Sequence, residues 1–385
     1  MSSRLRTGLA LAGSVALGGG LLFVALRGAD LASVAAELRA GEWAWLAPLT
    51  AVTVASVLIR AWRWAILLDT LPQADGTPQP SRTPFAAAYH STMVGYLVNL
   101  AVPRLGEVVR AGNLAARRPL GFAAVVGTVV AERLLDLGML VLALASVALL
   151  FGERLSAVAG EASRGFAALL AGLPRALDVL LVVAGLCVVA VVAGLAVRAR
   201  ARRTSGPARP SRFAGLAAQF RDGALTVVRT GRPAAIVGST LAIWACYATM
   251  AYLPLRVFGM ASGPAGLSLL DGWALMTVGA VGMALPAPGG AGSYHYVTIQ
   301  ALVLLFGVAV SPATSYAVLA HAAQLVFYAL GGALSLLVQG SGLRAATAAA
   351  REPAAPPAAE VPDATAAAEV PDAGAPHGPT VPAER

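Results

Sequence analysis

The sequence contains no lysine, and charged side chains of any kind are scarce. Only 12% of the 385 residues are charged, against roughly 25% in soluble domains. Hydrophobic residues make up 58% of the chain, and the mean hydropathy is +0.73. A soluble enzyme of this length would need far more polar surface, so the composition excludes that class and indicates a membrane protein.

Cysteine is also rare, and all 28 basic residues are arginine, against 19 acidic residues. Cys187 and Cys246 lie in apolar runs without metal-ligand spacing, so we expect core-facing side chains and no metal site. The net charge of +9 is not concentrated in a soluble domain, so we expect no nucleic-acid partner. Arginines between apolar segments instead follow the positive-inside rule.

The apolar segments predict an all-α fold, a polytopic bundle of transmembrane helices. A helix needs about 20 apolar residues to cross the hydrocarbon core. Suitable segments are residues 8–26, 43–68, 119–151, 179–197 and 233–255, with two or three more in the uncharged stretch 272–343. Counting from a cytoplasmic N-terminus predicts about eight spans in the cell (inner) membrane, with both termini cytoplasmic.

Two segments interrupt this pattern and predict re-entrant hairpins. Residues 85–102 have arginines on both flanks, so we expect this piece to enter the membrane and return without crossing it. A proline-glycine break leaves two alternatives for residues 267–306, which form either full spans or a second re-entrant pair. Both breaks contain P-x-x-G, at 103–106 and 286–289, and paired breaks in two halves are typical of transport sites built from repeats.

The polar ends of the sequence predict its domain organisation. Residues 198–232 contain nine arginines and one acid, so we place them in the cytoplasm, with 213–229 as an interfacial amphipathic helix. Residues 344–385 are rich in Ala and Pro and lack large apolar side chains, so we expect a disordered tail. The prediction is one transmembrane domain, 1–343, followed by this tail.

The first candidate site follows the break of the first hairpin. Arg104, Glu107 and Arg110 recur every three residues, which on a helix places them on one face, close to Asn99. Two guanidiniums around one carboxylate leave donors for a lipid phosphate. An interfacial salt-bridge cluster that only anchors the hairpin is the alternative.

The second candidate site lies inside the predicted span 119–151. Glu132 and Asp136 share a helix face, with Arg133 beside them. Charges at membrane depth require partners, and we expect Arg104, Arg110 or Arg63 of a neighbouring element. The group is either part of a headgroup cavity or a structural ion cluster.

The third candidate site is the break of the second hairpin. Two prolines and three glycines free backbone N–H and C=O groups inside the membrane, and such broken helices often mark transporter sites. The candidate cavity residues are Pro286, Pro288, Gly289, Gly290, Gly292, His295, His321 and Gln324. For both histidines the alternative is a packed side chain or an interhelical hydrogen bond.

Several catalytic motifs are absent from the sequence. It contains no P-loop, no HExxH, no CxxC and no G-x-S-x-G. We therefore predict no catalytic residue and no cofactor, and neither an ATP-driven pump nor a metalloprotease.

The same residues carry a resemblance to a known family. The motifs NLAVPRLGEVVR (99–110), AERLLD (131–136), LPAPGGAG (285–292) and HAAQ (321–324) follow in the order of the flippase-like domain. That domain is the transmembrane region of lysylphosphatidylglycerol synthases, and the resemblance covers roughly residues 4–343. It implies movement of an aminoacylated or other lipid between leaflets, with Arg104, Glu107 and Arg110 in a headgroup cavity.

Three functions are compatible with these observations. The leading one is ATP-independent translocation of an anionic or modified phospholipid or a lipid-linked glycan. The second is a membrane-embedded transferase with Glu107, Glu132 or Asp136 as base. The third is a non-transporting scaffold for a separate synthase, because only low-complexity sequence follows residue 343. A homodimer is the expected assembly.

Overall fold

A computed structural model describes residues 16, 18–27, 29–102, 104–159, 212–263, 266–284 and 287–340. Within these ranges the chain is all-α, and its β-type pairing is a single bridge between Gln73 and Leu120. The predicted span 179–197, the tail 344–385 and residues 8–15 and 17 of the predicted span 8–26 lie outside the described residues.

The described helices follow one another with short connections. After a helical stretch at 18–26 they are α1 (Leu31–Ala40), a 3₁₀ turn (Trp43–Trp45), α2 (Leu46–Leu68), α3 (Phe85–Ala101), α4 (Leu105–Ala115), α5 (Phe122–Leu150), α6 (Gly152–Ala159), α7 (Arg212–Ala224), α8 (Thr226–Arg229), α9 (Pro233–Val257), α10 (Leu269–Ala284), a second 3₁₀ turn (Pro288–Gly290), α11 (Ser293–Phe306) and α12 (Val310–Val338). Among the described residues, four helical segments are long and apolar enough to cross a membrane: Trp43–Leu68, α5, α9 and α12. They confirm the predicted spans at 43–68, 119–151 and 233–255.

The first hairpin consists of α3 and α4. The chain turns after Ala101 through Arg104, whose backbone is left-handed with φ 65°. A Cβ on Gly106 would overlap the carbonyl oxygen of Gly95, so these glycines allow the two arms to touch. The arms have 17 and 11 residues, about 25 and 16 Å at the helical rise, too short for a hydrocarbon core of about 30 Å.

This hairpin is longer than the sequence predicts. Residues 85–102 form one arm only, and the return arm is α4, which the prediction treated as a cytoplasmic flank. The predicted boundary was wrong because the turn needs the left-handed residue at 104, beyond the apolar segment. The correction moves Arg110 from the membrane surface into the bundle, where it is 3% exposed.

The second hairpin consists of α10 and α11. A Cβ on Gly282 would press on the backbone of Ser293, and one on Gly279 on the Tyr294 ring, so the arms run in opposite directions in close contact. They contain 16 and 14 residues, about 24 and 21 Å. Of the two alternatives for residues 267–306, these lengths favour the hairpin over two full spans.

The predicted helix at 213–229 is present as two helices, α7 and the short α8, and its interfacial position stays a prediction. α7 packs on the first turns of α5, where a Cβ on Gly223 would overlap the carbonyl oxygen of Ala124 and Gly127 faces the α7 backbone. The end of the arginine-rich segment, residues 212–224, is thereby attached to the helix that carries the acids of the second candidate site.

Candidate functional site

Charged side chains from three helices form one ion cluster, defined as Arg60, Arg63, Arg110, Glu132 and Asp136. Arg60 and Arg63 lie one turn apart on α2, and the two acids lie one turn apart on α5. Four of the five residues are at most 3% exposed, and the Asp136 side chain is 15% exposed. The cluster is therefore inside the bundle.

Glu132 is the most buried acid of the ion cluster. Arg63 Nη2 donates to its Oε1 at 3.3 Å, and Arg110 Nη2 donates to its Oε2 at 2.6 Å. The Arg110 guanidinium also lies 4.6 Å from the centroid of the Trp64 ring, in a cation–π contact. These pairs confirm the expectation that the α5 acids find arginine partners on neighbouring elements.

Asp136 connects the ion cluster to α9. It accepts from Arg60 at 3.0 Å and from Arg63 at 2.9 Å. Arg60 Nη2 donates to the Tyr247 hydroxyl at 2.8 Å, and Arg63 Nη1 donates to Thr240 Oγ1 at 2.9 Å. The cluster thus ties α2, α4, α5 and α9 together.

The ion cluster carries more positive than negative charge. Three guanidiniums and two carboxylates give a formal charge of +1 (3 − 2). In the described part of the chain, the buried Nε atoms of Arg60, Arg63 and Arg110 have no hydrogen-bond partner. Because unpaired charges and donors are costly in a low dielectric, this arrangement has capacity for one further anionic group.

An open edge, defined as Glu107 and Arg133, borders the ion cluster. The Arg133 side chain is 44% exposed, and its guanidinium lies 3.9 Å from Glu107 and 3.6 Å from Asp136. Asn99 connects this edge to the hairpin turn, since its Nδ2 donates to Glu107 at 3.3 Å and its Oδ1 accepts from the Gly106 N–H at 2.7 Å.

Arg104 is separate from the ion cluster. Its Nη2 donates to the Ala284 carbonyl at 2.9 Å, at the end of α10. The prediction that Arg104, Glu107 and Arg110 share one face was wrong for Arg104, because α4 begins only at Leu105. Residue 104 precedes the helical repeat on which that prediction rested.

The break of the second hairpin is held by both predicted histidines. His321 Nε2 donates to the Gly289 carbonyl at 2.9 Å, and His295 Nδ1 accepts from the Gly292 N–H at 3.4 Å. The two rings are 4.9 Å apart. Gly289, Gly290 and Gly292 all have positive φ, between 58° and 85°, which explains why glycine occupies these positions.

The remaining predicted residues of this site are Pro286, Pro288 and Gln324. Pro288 begins the 3₁₀ turn, and Gln324 is half-buried one turn beyond His321 on α12. Pro286 lies outside the described residues.

Sequence reasoning did not select Arg60, Tyr247 or Thr240. The available signal was the position of Arg60 and Arg63 inside an apolar span, about one helical turn apart, as the two α5 acids are in theirs. Tyr247 and Thr240 carry no signal, because isolated hydroxyl groups are common in membrane helices.

A cavity of about 230 Å³ lies where the end of α2 meets the start of α9. It is lined by Ile66, Asp69, Thr70, Arg82, Thr230 and Arg232. None of the predicted headgroup residues that the structure describes lines this cavity.

The comparisons with known proteins identify the family. A family model described as the lysylphosphatidylglycerol synthase TM region matches residues 10–350. Neither the curated proteins nor the solved structures contain a match to the chain. The match includes the two hairpins, the ion cluster and all the candidate residues. Because it covers most of the sequence, this chain is an integral membrane protein that belongs to the lysylphosphatidylglycerol synthase TM region family.

Proposed function

We propose that the protein moves an anionic or modified phospholipid, or a lipid-linked glycan, between leaflets without hydrolysing a nucleotide. The observation that carries this proposal is the +1 charge of the buried ion cluster, with three Nε donors that lack partners among the described residues. A phosphate diester bears one negative charge and accepts hydrogen bonds from guanidinium groups, so it matches this capacity.

The open edge supplies the approach to the ion cluster. Arg133 is half-exposed, and its partners at 3.6 and 3.9 Å are beyond hydrogen-bond distance, so its donors can exchange for a headgroup phosphate. The break of the first hairpin lies next to this edge through Asn99. A hairpin that shifts at its turn would therefore change access to the cluster.

The contacts of the acids argue against the transferase alternative. Glu132 is fully buried with both oxygens occupied by arginine, and Asp136 accepts from Arg60 and from Arg63, which also binds Glu132. A general base needs a free oxygen within reach of the substrate proton. Glu107 retains more freedom, but its neighbours are Asn99 and Arg133 rather than a donor-substrate site.

Lipid translocation is tested with the purified protein in liposomes that contain a fluorescent phospholipid. Dithionite bleaches fluorophores in the outer leaflet, so transport bleaches more than half of the signal. We expect transport of an anionic lipid by the wild-type protein. In Arg133→Gln the transport rate should fall about tenfold, because one charge-assisted hydrogen bond to the headgroup is lost.

The matched control is Arg39→Gln, at an exposed arginine on α1. It should transport like the wild type. Bleaching that stops at half of the signal for phosphatidylglycerol, an aminoacylated phospholipid and a polyprenyl phosphate would refute the proposal. Equal transport by the Arg133 variant and the control would show that the open edge has no part in the transport.

A further inference from the structure

The order and length of the helices repeat once along the chain. A long helix, two short hairpin arms and a second long helix occur as α2, α3, α4 and α5, and again as α9, α10, α11 and α12. The first residues of corresponding helices are offset by 187, 184, 188 and 188 residues, from Leu46 to Pro233, Phe85 to Leu269, Leu105 to Ser293 and Phe122 to Val310. We call residues 46–150 the first half and 233–338 the second half.

The contacts inside each half repeat with the same offset. In each half a glycine lies against the backbone of the opposite hairpin arm, Gly95 against Gly106 in the first half and Gly282 against Ser293 in the second. Both members of this pair are shifted by 187 residues (282 − 95 and 293 − 106). The offset is therefore nearly constant over four helices and one glycine contact. The repeat is a feature of the backbone fold and extends well beyond the short P-x-x-G match in the sequence.

A polar contact between the return arm and the next long helix also recurs. In the first half it joins Arg110 to Glu132, and in the second half it joins the rings of His295 and His321. The offsets are 185 and 189 residues (295 − 110 and 321 − 132). Corresponding positions therefore carry an ion pair in the first half and two histidines in the second half.

The two halves run in opposite directions through the bundle. α2 packs antiparallel to α9, with Leu49 against Met250 near one end and Arg63 bonded to Thr240 near the other. The hairpins therefore enter from opposite ends. At the first end, Ile66 packs on Ile236 beside the start of the first hairpin; at the second end, the Glu42 N–H bonds to the Val257 carbonyl.

Contacts between the two halves follow the same pattern, because each hairpin packs on the last helix of the other half. The first hairpin packs on the last helix of the second half, with His90 bonded to Ser335 and the Tyr96 ring in contact with the Tyr328 ring. In the same way the second hairpin packs on the last helix of the first half, where the Trp273 indole donates to Ser146.

The two hairpin turns contact each other. Arg104, in the first turn, donates to the carbonyl of Ala284 at the end of α10. A Cβ on Gly289, in the second turn, would lie 3.7 Å from the carbonyl oxygen of Leu100. The two breaks are therefore in direct contact.

The described charges differ between the two ends. The first end carries seven arginines and three acids: Arg82, Arg117, Arg118, Arg212, Arg221, Arg229 and Arg232, with Asp69, Asp75 and Asp222. The second end carries four arginines and five acids: Arg27, Arg39, Arg154 and Arg256, with Asp30, Glu37, Glu42, Glu153 and Asp271. By the positive-inside rule, the first end faces the cytoplasm.

We propose that the two halves are inverted-topology repeats, and that their hairpins are two gates of one path, the first opening to the cytoplasm and the second to the opposite side. Inverted repeats with broken helices at the membrane centre are a known basis of alternating access. The repeat itself stands on packing alone, whereas the alternating gates rest on the proposed translocation function.

The repeat is tested by single-cysteine labelling in intact cells, after Cys187 and Cys246 are replaced by serine. Ala74→Cys, in the exposed loop before the first hairpin, and Ser262→Cys, in the exposed loop before the second, report the two entrances. An impermeant maleimide should label residue 262 from outside and residue 74 only after permeabilisation. Labelling of both from the same side would overturn the repeat, whether or not the protein transports lipid.

The gates are tested with one cysteine at each turn, on the same background. Val102→Cys and Met283→Cys replace residues that are 40% and 46% exposed. The control is Leu142→Cys, which should not react, because Leu142 is 63% exposed in the apolar span α5 and we expect it to face lipid. The expected result is reaction of 102 from the cytoplasmic side and of 283 from the opposite side. Reaction of both turns from one side, or of neither, would overturn the two gates and leave the repeat intact.

Discussion

We expect loss of the Glu132 charge to destabilise the bundle more than loss of any other charge. Glu132→Gln keeps the shape of the side chain and removes its charge, so three buried guanidiniums share one carboxylate and the ion cluster changes from +1 to +2 (3 − 1). Removing one partner of a buried ion pair costs about 3–5 kcal/mol, because the other charge remains without compensation. We expect the free energy of unfolding to fall by that amount.

The assay is reversible unfolding in mixed micelles, followed by tryptophan fluorescence. Arg133→Gln is the matched control, because its side chain is 44% exposed and a solvent-exposed pair contributes about 0–1 kcal/mol. The double variant Glu132→Gln with Arg110→Gln returns the cluster to +1 (2 − 1), so its loss should be smaller than the sum of the single losses. A change below about 1 kcal/mol in Glu132→Gln, equal to the control, would refute the reasoning.

Three further predictions concern close contacts. Gly106→Ala should destabilise the first hairpin by about 1–3 kcal/mol, because the new methyl group overlaps backbone; Gly138→Ala, with open space on α5, should not, and an equal loss in thermal unfolding would contradict this. Gly223→Ala should detach α7 from α5 and speed proteolysis of α7, because the new methyl group overlaps the α5 backbone. Gly215→Ala, on the same helix, should not. Equal cleavage rates in the two variants would count against the contact between α7 and α5. Arg104→Gly keeps the left-handed turn while removing the bond between the hairpin turns. Cysteine accessibility at the turns should therefore rise with little change in thermal stability, and unchanged accessibility would show that this bond does not hold the two turns together.

The contrast between Arg104 and Arg110 shows how far periodicity extends. Both were placed on one helix face from their spacing, and that reasoning holds only from Leu105 onwards, where the helix begins. One left-handed residue separates two arginines that are six positions apart into different environments. Arg104 closes the hairpin turns, and Arg110 pairs with a buried acid.

The candidate site was partly predictable for a related reason. Glu132 and Asp136 inside an apolar span required partners, and the sequence offered few basic residues at comparable depth. It therefore indicated Arg63 and Arg110 among the possible partners. Arg60 and the hydroxyl of Tyr247 joined the cluster only through the packing of α2 against α5 and α9, which no spacing along the chain specifies.

The sequence by itself determined the membrane environment, the long spans, the positions of both breaks and the family, because these depend on local composition and on short motifs. The tertiary structure decided which segment returns in the first hairpin, which arginines neutralise which acids, and that the two breaks meet. It also showed that the halves 46–150 and 233–338 pack in opposite directions. These features are contacts between residues far apart in the chain, and only the packing of helices against one another determines them.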